Sequence, residues 1–292
     1  MLTVDEAFAK FKTKISEPTE KERKDASRRQ RDIRAVMDRE FQVDRDFLSG
    51  SYGRYTKTKP LKDVDIFCIL GNDEKHYRKK HPSELLNAVA KVLQAEYGKD
   101  NVEPQRRSVG VNFVTTEDEM VMSFDVVPAF DCGKHYEVAD TKSQKQWIET
   151  DPEIHKEKAI NKHQAYSNEW KGLVRMVKTW NREHDKPVKP SFLLEVMALE
   201  LFDGDFGGDY RYEVKGFFSS AAERIFDEWA DPAGLGPPVS DSMDQQKRTA
   251  ARTTLTEAAN QASRAIQLEK QGKVGEALRA WQGIFGPQLS MS

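Results

Sequence analysis

Residues 47–67 read FLSGSYGRYTKTKPLKDVDIF. The stretch opens on a glycine–serine turn, Gly50-Ser51, and twelve residues later enters an apolar run headed by Asp63 and Asp65. In a strand, residues two apart share a face, so these carboxylates stand side by side. Two like charges at the edge of an interior are costly unless compensated, and the usual compensator is a divalent cation. Two other D-x-D pairs occur, Asp44/Asp46 and Asp203/Asp205. The first fits the solvent side of a strand, and the second lies in a glycine-rich loop. Only Asp63/Asp65 continues into Ile66-Phe67-Cys68-Ile69-Leu70 while also following Gly-Ser.

A third acid stands where such a pair needs one. In MVMSFDVVPAF, residues 120–130, Asp125 is embedded in an apolar strand and shares its face with Val121, Ser123 and Val127. Beside the 63–70 strand it would meet Asp63 and Asp65 on a common surface. Three converging carboxylates would hold two Mg²⁺ ions about 3.5–4 Å apart and activate a hydroxyl for in-line attack on a phosphate. Gly50 and Ser51 would offer backbone amides, and Ser51 a hydroxyl, to the phosphates, glycine letting the backbone approach closely. A buried acid with a purely structural partner is the alternative for Asp125.

Composition bounds the rest. The 292 residues, 38% apolar and 32% charged, suit a soluble globular protein with one large domain or two lobes. VDIFCIL and SFLLEVMALELF are too short or too interrupted to span a bilayer, and MLTVDEAFAKFKTKI carries no secretory signal. Cys68 and Cys132 lack a metal-like spacing, and Cys68 reads as a reduced, buried thiol. A cytoplasmic protein without disulfides or a membrane partner is expected. A net charge of −2 argues against a stable complex with long nucleic acid. Residues 10–34 hold ten Lys or Arg against five acids, which reads as a solvated helix face laced with i,i+4 pairs.

Residues 20–40 predict a helix burying Ala26, Ile33, Val36 and Met37, with Pro18 ahead of a Thr19/Glu22 capping box. FQVDRDFLSG predicts a strand ending at Gly50. HPSELLNAVAKVLQAEYG predicts a helix capped by Ser83, burying Leu85, Leu86, Val89, Val92 and Leu93 and ending at Gly98. RRSVGVNFVT and MVMSFDVVPAF form a hairpin about the polar turn TEDE. The order implies an α/β (α+β) fold: a small mixed sheet with helices on one face over 1–154, then a helical lobe over 155–292, with a cleft between them. The last fifty residues predict two Ala-rich helices broken at Gly272.

Gly-Ser, then D-x-D in a strand, then a lone Asp in a later strand resembles the polymerase-β-like nucleotidyltransferase superfamily. LVRMVKTWN, KPSFLLEVMALELF and GEALRAWQGIFG are similar to the bacterial CD-NTases, the cGAS- and DncV-like synthases of cyclic oligonucleotide second messengers in anti-phage CBASS systems. The resemblance runs over roughly residues 40 to 286. It implies that Asp63, Asp65 and Asp125 are the catalytic metal ligands, for Mg²⁺ with Mn²⁺ as substitute, and that Asp125 activates the attacking ribose hydroxyl. It implies that Gly50, Ser51, Lys178 and Ser191 bind the triphosphate and that Phe192 stacks on a base. On residue type alone, Lys178 also reads as a surface lysine, Ser191 as a helix N-cap and Phe192 as core. Arg54, Lys57, Lys59 and Lys62 fall near the phosphates without being assigned. Two isolated cysteines cannot build the zinc insertion of animal members, and six scattered histidines suggest no zinc site.

The leading expectation is a synthase joining nucleoside triphosphates, ATP and/or GTP, into a cyclic di- or trinucleotide that acts on a downstream effector. A template-independent RNA nucleotidyltransferase of the tRNA CCA-adding type shares the Gly-Ser and Asp pattern, but the near-neutral charge disfavours it. A nucleotide-binding module without catalysis is disfavoured because all three aspartates are present.

Overall fold

A computed structural model describes residues 2–16, 19–58, 63–113 and 123–291. Pro18, Lys59, Lys62, the polar turn 116–119 and Val121 lie outside the described residues. The chain folds as two compact units, Glu17–Lys156 and Met1–Ser16 with Glu157–Ser292.

The first helix, α1 (Val4–Lys14), belongs to the second unit, although the sequence placed it in the sheet-bearing lobe. Its apolar stripe explains why. Phe8 meets Trp281 edge-on at 5.0 Å, and Phe11 lies 4.8 Å from Phe285. An amphipathic helix announces that it buries a face, not which core receives it.

The sheet unit begins with α2 (Glu20–Met37), opened by the expected Thr19/Glu22 capping box and burying Ala26, Ile33, Val36 and Met37. Its charged face carries the pairs Lys24–Glu20, Arg29–Asp25 and Arg34–Asp38, each four residues apart. There follow β1 (Val43–Ser49), the single helical turn α3 (Gly50–Gly53), β2 (Asp63–Leu70) and α4 (Pro82–Tyr97). The N-cap of α4 is His81, not Ser83. The His81 ring accepts from the Ser83 amide, and Pro82 takes the first helical position, where its missing N–H costs nothing.

β3 (Val102–Pro104), β4 (Val109–Asn112), β5 (Ser123–Asp131), β6 (Tyr136–Ala139) and β7 (Trp147–Thr150) complete the sheet. Among the described residues seven strands form one sheet in the order β1-β2-β5-β4-β3, with β6 on β5 and β7 on β6. β2 and β5 run parallel, and the other pairs are antiparallel. This is the mixed sheet that the order of elements predicted.

Alternation along β2 and β5 sorts the side chains. Val64, Ile66, Cys68, Leu70, Phe124 and Val126 enter the core shared with α2 and α4. Phe67, Ile69, Val127 and Ala129 enter a smaller cluster on the opposite face. By parity, Asp63, Asp65 and Asp125 belong to that second face, ahead of its apolar cluster. Cys68 is free and buried, and burial pushes its thiol up to about 12.

The boundary to the helical unit falls within α5 (Pro152–Ala165). α6 (Trp170–Glu183), α7 (Ser191–Leu201), α8 (Tyr210–Arg224), α9 (Gln245–Lys270) and α10 (Val274–Phe285) follow. They enclose an aromatic-rich core that includes Trp170, Trp180, Phe217, Phe218 and Trp281. α9 and α10 are the two Ala-rich helices, separated at Gly272. No described helix is long and apolar enough to cross a membrane.

Candidate active site

The parallel pairing of β2 and β5 sets Asp65 directly opposite Asp125 and Asp63 opposite Ser123. The two strands thus deliver three acids to one patch of one face, as their spacing predicted. The acids are not equivalent. Asp63 is exposed at the strand's start and accepts a hydrogen bond from the Ser123 hydroxyl at 2.8 Å. Asp125 is deeper, and burial, then the nearby charges of Asp65 and Asp63, push its carboxyl up to about 6. The neighbouring Gln105 side chain works in the opposite direction.

The glycine–serine turn closes on the same patch. Ser49, the last residue of β1, pairs with Asp65, so the chain turns into α3 beside that carboxylate. Gly50 has φ +57°, and a Cβ there would lie 1.6 Å from Asp65 Oδ2. Glycine is therefore required twice, by the left-handed backbone and by the carboxylate packed against it. Ser51 follows, half-buried, its carbonyl accepting from the Thr56 amide at 2.9 Å. Arg54 and Lys57 are buried.

The other D-x-D pairs have local explanations. Asp46 accepts from Arg34 at 2.8 Å and Gln30 at 2.6 Å. Asp203 accepts from the Gly204 amide at 2.8 Å in an exposed turn.

The acids fit a hard divalent cation by donor type: oxygen ligands only, with Asp65 and Asp125 mutually repelling. Among the described residues no three Asp, Glu, His or Cys side chains are drawn close enough to grip an ion together. The Ser123 hydroxyl occupies Oδ1 of Asp63 and leaves Oδ2 for an ion.

Lys178, Ser191 and Phe192 lie in the helical unit. Lys178 is not a surface lysine. It is 8% exposed, and its Nζ lies 3.0 Å from Oε1 of Glu195, itself 2% exposed. Ser191 is the first residue of α7 and exposed, and the N-cap is Pro190, so the capping role falls away. Phe192 is partly buried against the helical core.

Glu195, Gln105 and Gly110 were not singled out from sequence. Gly110 carried a usable signal, since a glycine inside a strand marks a close approach. It sits opposite Asp125 in the β4–β5 pairing. Gln105 carried none.

The model of the Second Messenger Oligonucleotide or Dinucleotide Synthetase domain, SMODS, matches residues 1–162. A probable cyclic nucleotide synthase of Bacillus cereus is 24% identical over 82% of this chain and 80% of its own. A cyclic AMP-AMP-AMP synthase of Acinetobacter is 25% identical over 84% of this chain and 73% of its own. The solved structure of CdnC from Escherichia coli with ATP shares the fold at a TM-score of 0.73 and 20% identity, covering 98% of each chain. The chain belongs to the second messenger oligonucleotide or dinucleotide synthetases, and so to the bacterial CD-NTase nucleotidyltransferases.

Proposed function

We propose that this nucleotidyltransferase joins nucleoside triphosphates, ATP and/or GTP, into a cyclic di- or trinucleotide with release of pyrophosphate. The observation that carries the reading is the registered pair Asp65–Asp125 with Gly50 packed against it. The relatives named as cyclic nucleotide synthases support it.

Asp63, Asp65 and Asp125 would hold Mg²⁺, with Mn²⁺ as substitute. Once bound, the ions supply charge neutralisation at the phosphates and lower the cost of deprotonating a ribose hydroxyl. The chain's own residues do the rest. Asp125, whose carboxyl is pushed up by burial and by its neighbours Asp65 and Asp63, takes the hydroxyl proton. The hydroxyl oxygen forms a bond to the α-phosphorus while the α–β P–O bond breaks, and pyrophosphate leaves with that electron pair. Gly50 and Ser51 bind the departing phosphates through amides and the Ser51 hydroxyl. Lys178 and Ser191 contact the triphosphate, and Phe192 stacks on a base. A second round on the linear product closes the ring. Positioning and preorganised charge account for the acceleration in such a site. The product acts in the cytoplasm on an effector in anti-phage signalling.

The test is incubation with the four labelled ribonucleoside triphosphates and Mg²⁺ or Mn²⁺, then phosphatase treatment and mass spectrometry. A phosphatase-resistant cyclic product, absent from Asp63→Asn/Asp65→Asn, is expected. Product formed only when tRNA is added, as a chain extended at its 3′ end, would overturn the reading in favour of RNA extension.

A further inference from the structure

Three acids share one patch of the sheet, and two of them are confined by the fold itself. Asp65 is hemmed in by the turn, since a Cβ on Gly50 would lie 1.6 Å from its Oδ2. Asp125 lies deeper, between Asp65 on β2 and the bare backbone of Gly110 on β4. Asp63 has neither support. The pairing of β1 with β2 stops at Ser49–Asp65, so among the described strands only β5 pairs beside Asp63. Asp63 is also exposed, as the first residue of β2. An exposed carboxylate with two side-chain torsions samples several orientations unless a partner holds one of them.

Ser123 is that partner. The parallel register sets it directly opposite Asp63, and adjacent strands lie about 5 Å apart, within reach of a short side chain. Its Oγ donates to Asp63 Oδ1 at 2.8 Å. Chemistry fixes the direction, because an ionised carboxylate only accepts. Packing does not call for a serine here. The core on the other face is built by Phe124 and Val126, and β-branched or aromatic residues suit a strand better than a short hydroxyl.

A neutral donor has one property that a lysine or arginine lacks: it orients a carboxylate without cancelling its charge. We propose that Ser123 is a positioning residue for Asp63. Its hydroxyl engages Oδ1, fixes the rotation of the carboxylate and leaves the charge and Oδ2 for the divalent cation. One register then serves the site twice, setting acid against acid at Asp65–Asp125 and hydroxyl against acid at Ser123–Asp63. This rests on the reading of Asp63 as a metal ligand.

The experiment is Mn²⁺ binding to metal-free protein, followed by the electron paramagnetic resonance of the free ion, in the parent, Ser123→Thr, Ser123→Val, Ser123→Ala and Asp63→Asn. Threonine and valine are both β-branched and differ by the hydroxyl, so the fit of the strand does not separate them. Ser123→Val is expected to bind Mn²⁺ about tenfold more weakly than Ser123→Thr, the usual effect of losing a partner that orients a metal ligand. Ser123→Ala, which removes the hydroxyl without adding bulk, should match Ser123→Val, and Ser123→Thr should match the parent. In Ser123→Val kcat should fall while KM for nucleotide and melting temperature stay at the values of Ser123→Thr. Equal Mn²⁺ affinity in the threonine and valine variants, with Asp63→Asn impaired, would overturn the role of Ser123 alone. Parental affinity in Asp63→Asn as well would overturn the metal reading and this inference with it. A difference between the two confined to melting temperature would also overturn it, since the hydroxyl would then be purely structural.

Discussion

A Cβ on Gly50 would lie 1.6 Å from Oδ2 of Asp65 and 2.6 Å from its carboxyl carbon, so turn and carboxylate compete for one space. The pattern of Gly-Ser followed by D-x-D is thus a packing relationship as well as a list of site residues. Gly50→Ala forces the carboxylate to swing, and at φ +57° it also strains the backbone by about 1–2 kcal/mol. The expected result is a modest fall in melting temperature with loss of nearly all synthesis. Parental kcat in a folded Gly50→Ala protein would show that Asp65 does not need its present position.

Asp65 and Asp125 face each other across β2 and β5, and burial adds to their repulsion. Relieving that repulsion in the metal-free protein should stabilise it. Asp125→Asn is expected to melt higher than the parent in EDTA, by an amount on the order of 1–3 kcal/mol. Adding Mg²⁺ should raise the parent's melting temperature and leave the variant's nearly unchanged. Equal responses of the two proteins to Mg²⁺ would remove Asp125 from the ligand set.

What the sequence discloses follows from the range of the forces involved. The Thr19 capping box, the apolar run of β2 and the apolar stripe of α2 are local, and each appears where it was read. The three acids were legible because strand parity and one parallel pairing suffice to gather them. Competition between neighbours was harder: His81 with Pro82 displaces Ser83 as the cap, and Pro190 displaces Ser191. Long-range partners left no trace. Nothing in Phe8 says that Trp281 receives it. Residue type alone offered a surface lysine as the alternative at Lys178; it is buried beside Glu195, seventeen residues on.

The Lys178–Glu195 pair makes single substitutions at Lys178 ambiguous. Both side chains are nearly fully buried, and breaking such a pair costs up to about 3–5 kcal/mol. Lys178→Met should therefore melt well below the parent, whatever its part in binding. The double change Lys178→Met/Glu195→Leu should recover most of that stability. If Lys178 contacts the triphosphate, the double variant stays impaired in kcat/KM despite its restored fold. Recovery of activity with stability would make the lysine structural.

Asp140 supplies the clearest dependence on pH. Burial alone would raise its carboxyl, but hydrogen bonds from Arg106, the Lys142 amide and Arg107 outweigh it and hold the group at about 2, below its ordinary 3.8. A carboxyl lowered in the folded state stabilises at pH above its unfolded value, and the contribution fades as pH falls through the folded one. The shift corresponds to about 2 kcal/mol, present in full at neutral pH and declining from about pH 4 towards pH 2. Asp140→Asn should therefore lower the unfolding free energy in urea at pH 7 and at pH 5 by similar amounts, with a smaller gap at pH 3. The same change releases Arg106 and Arg107, which hold the turn between β3 and β4 to the Asp140 loop. A gap between parent and variant that stays constant down to pH 3 would mean that the Asp140 charge does not anchor the turn.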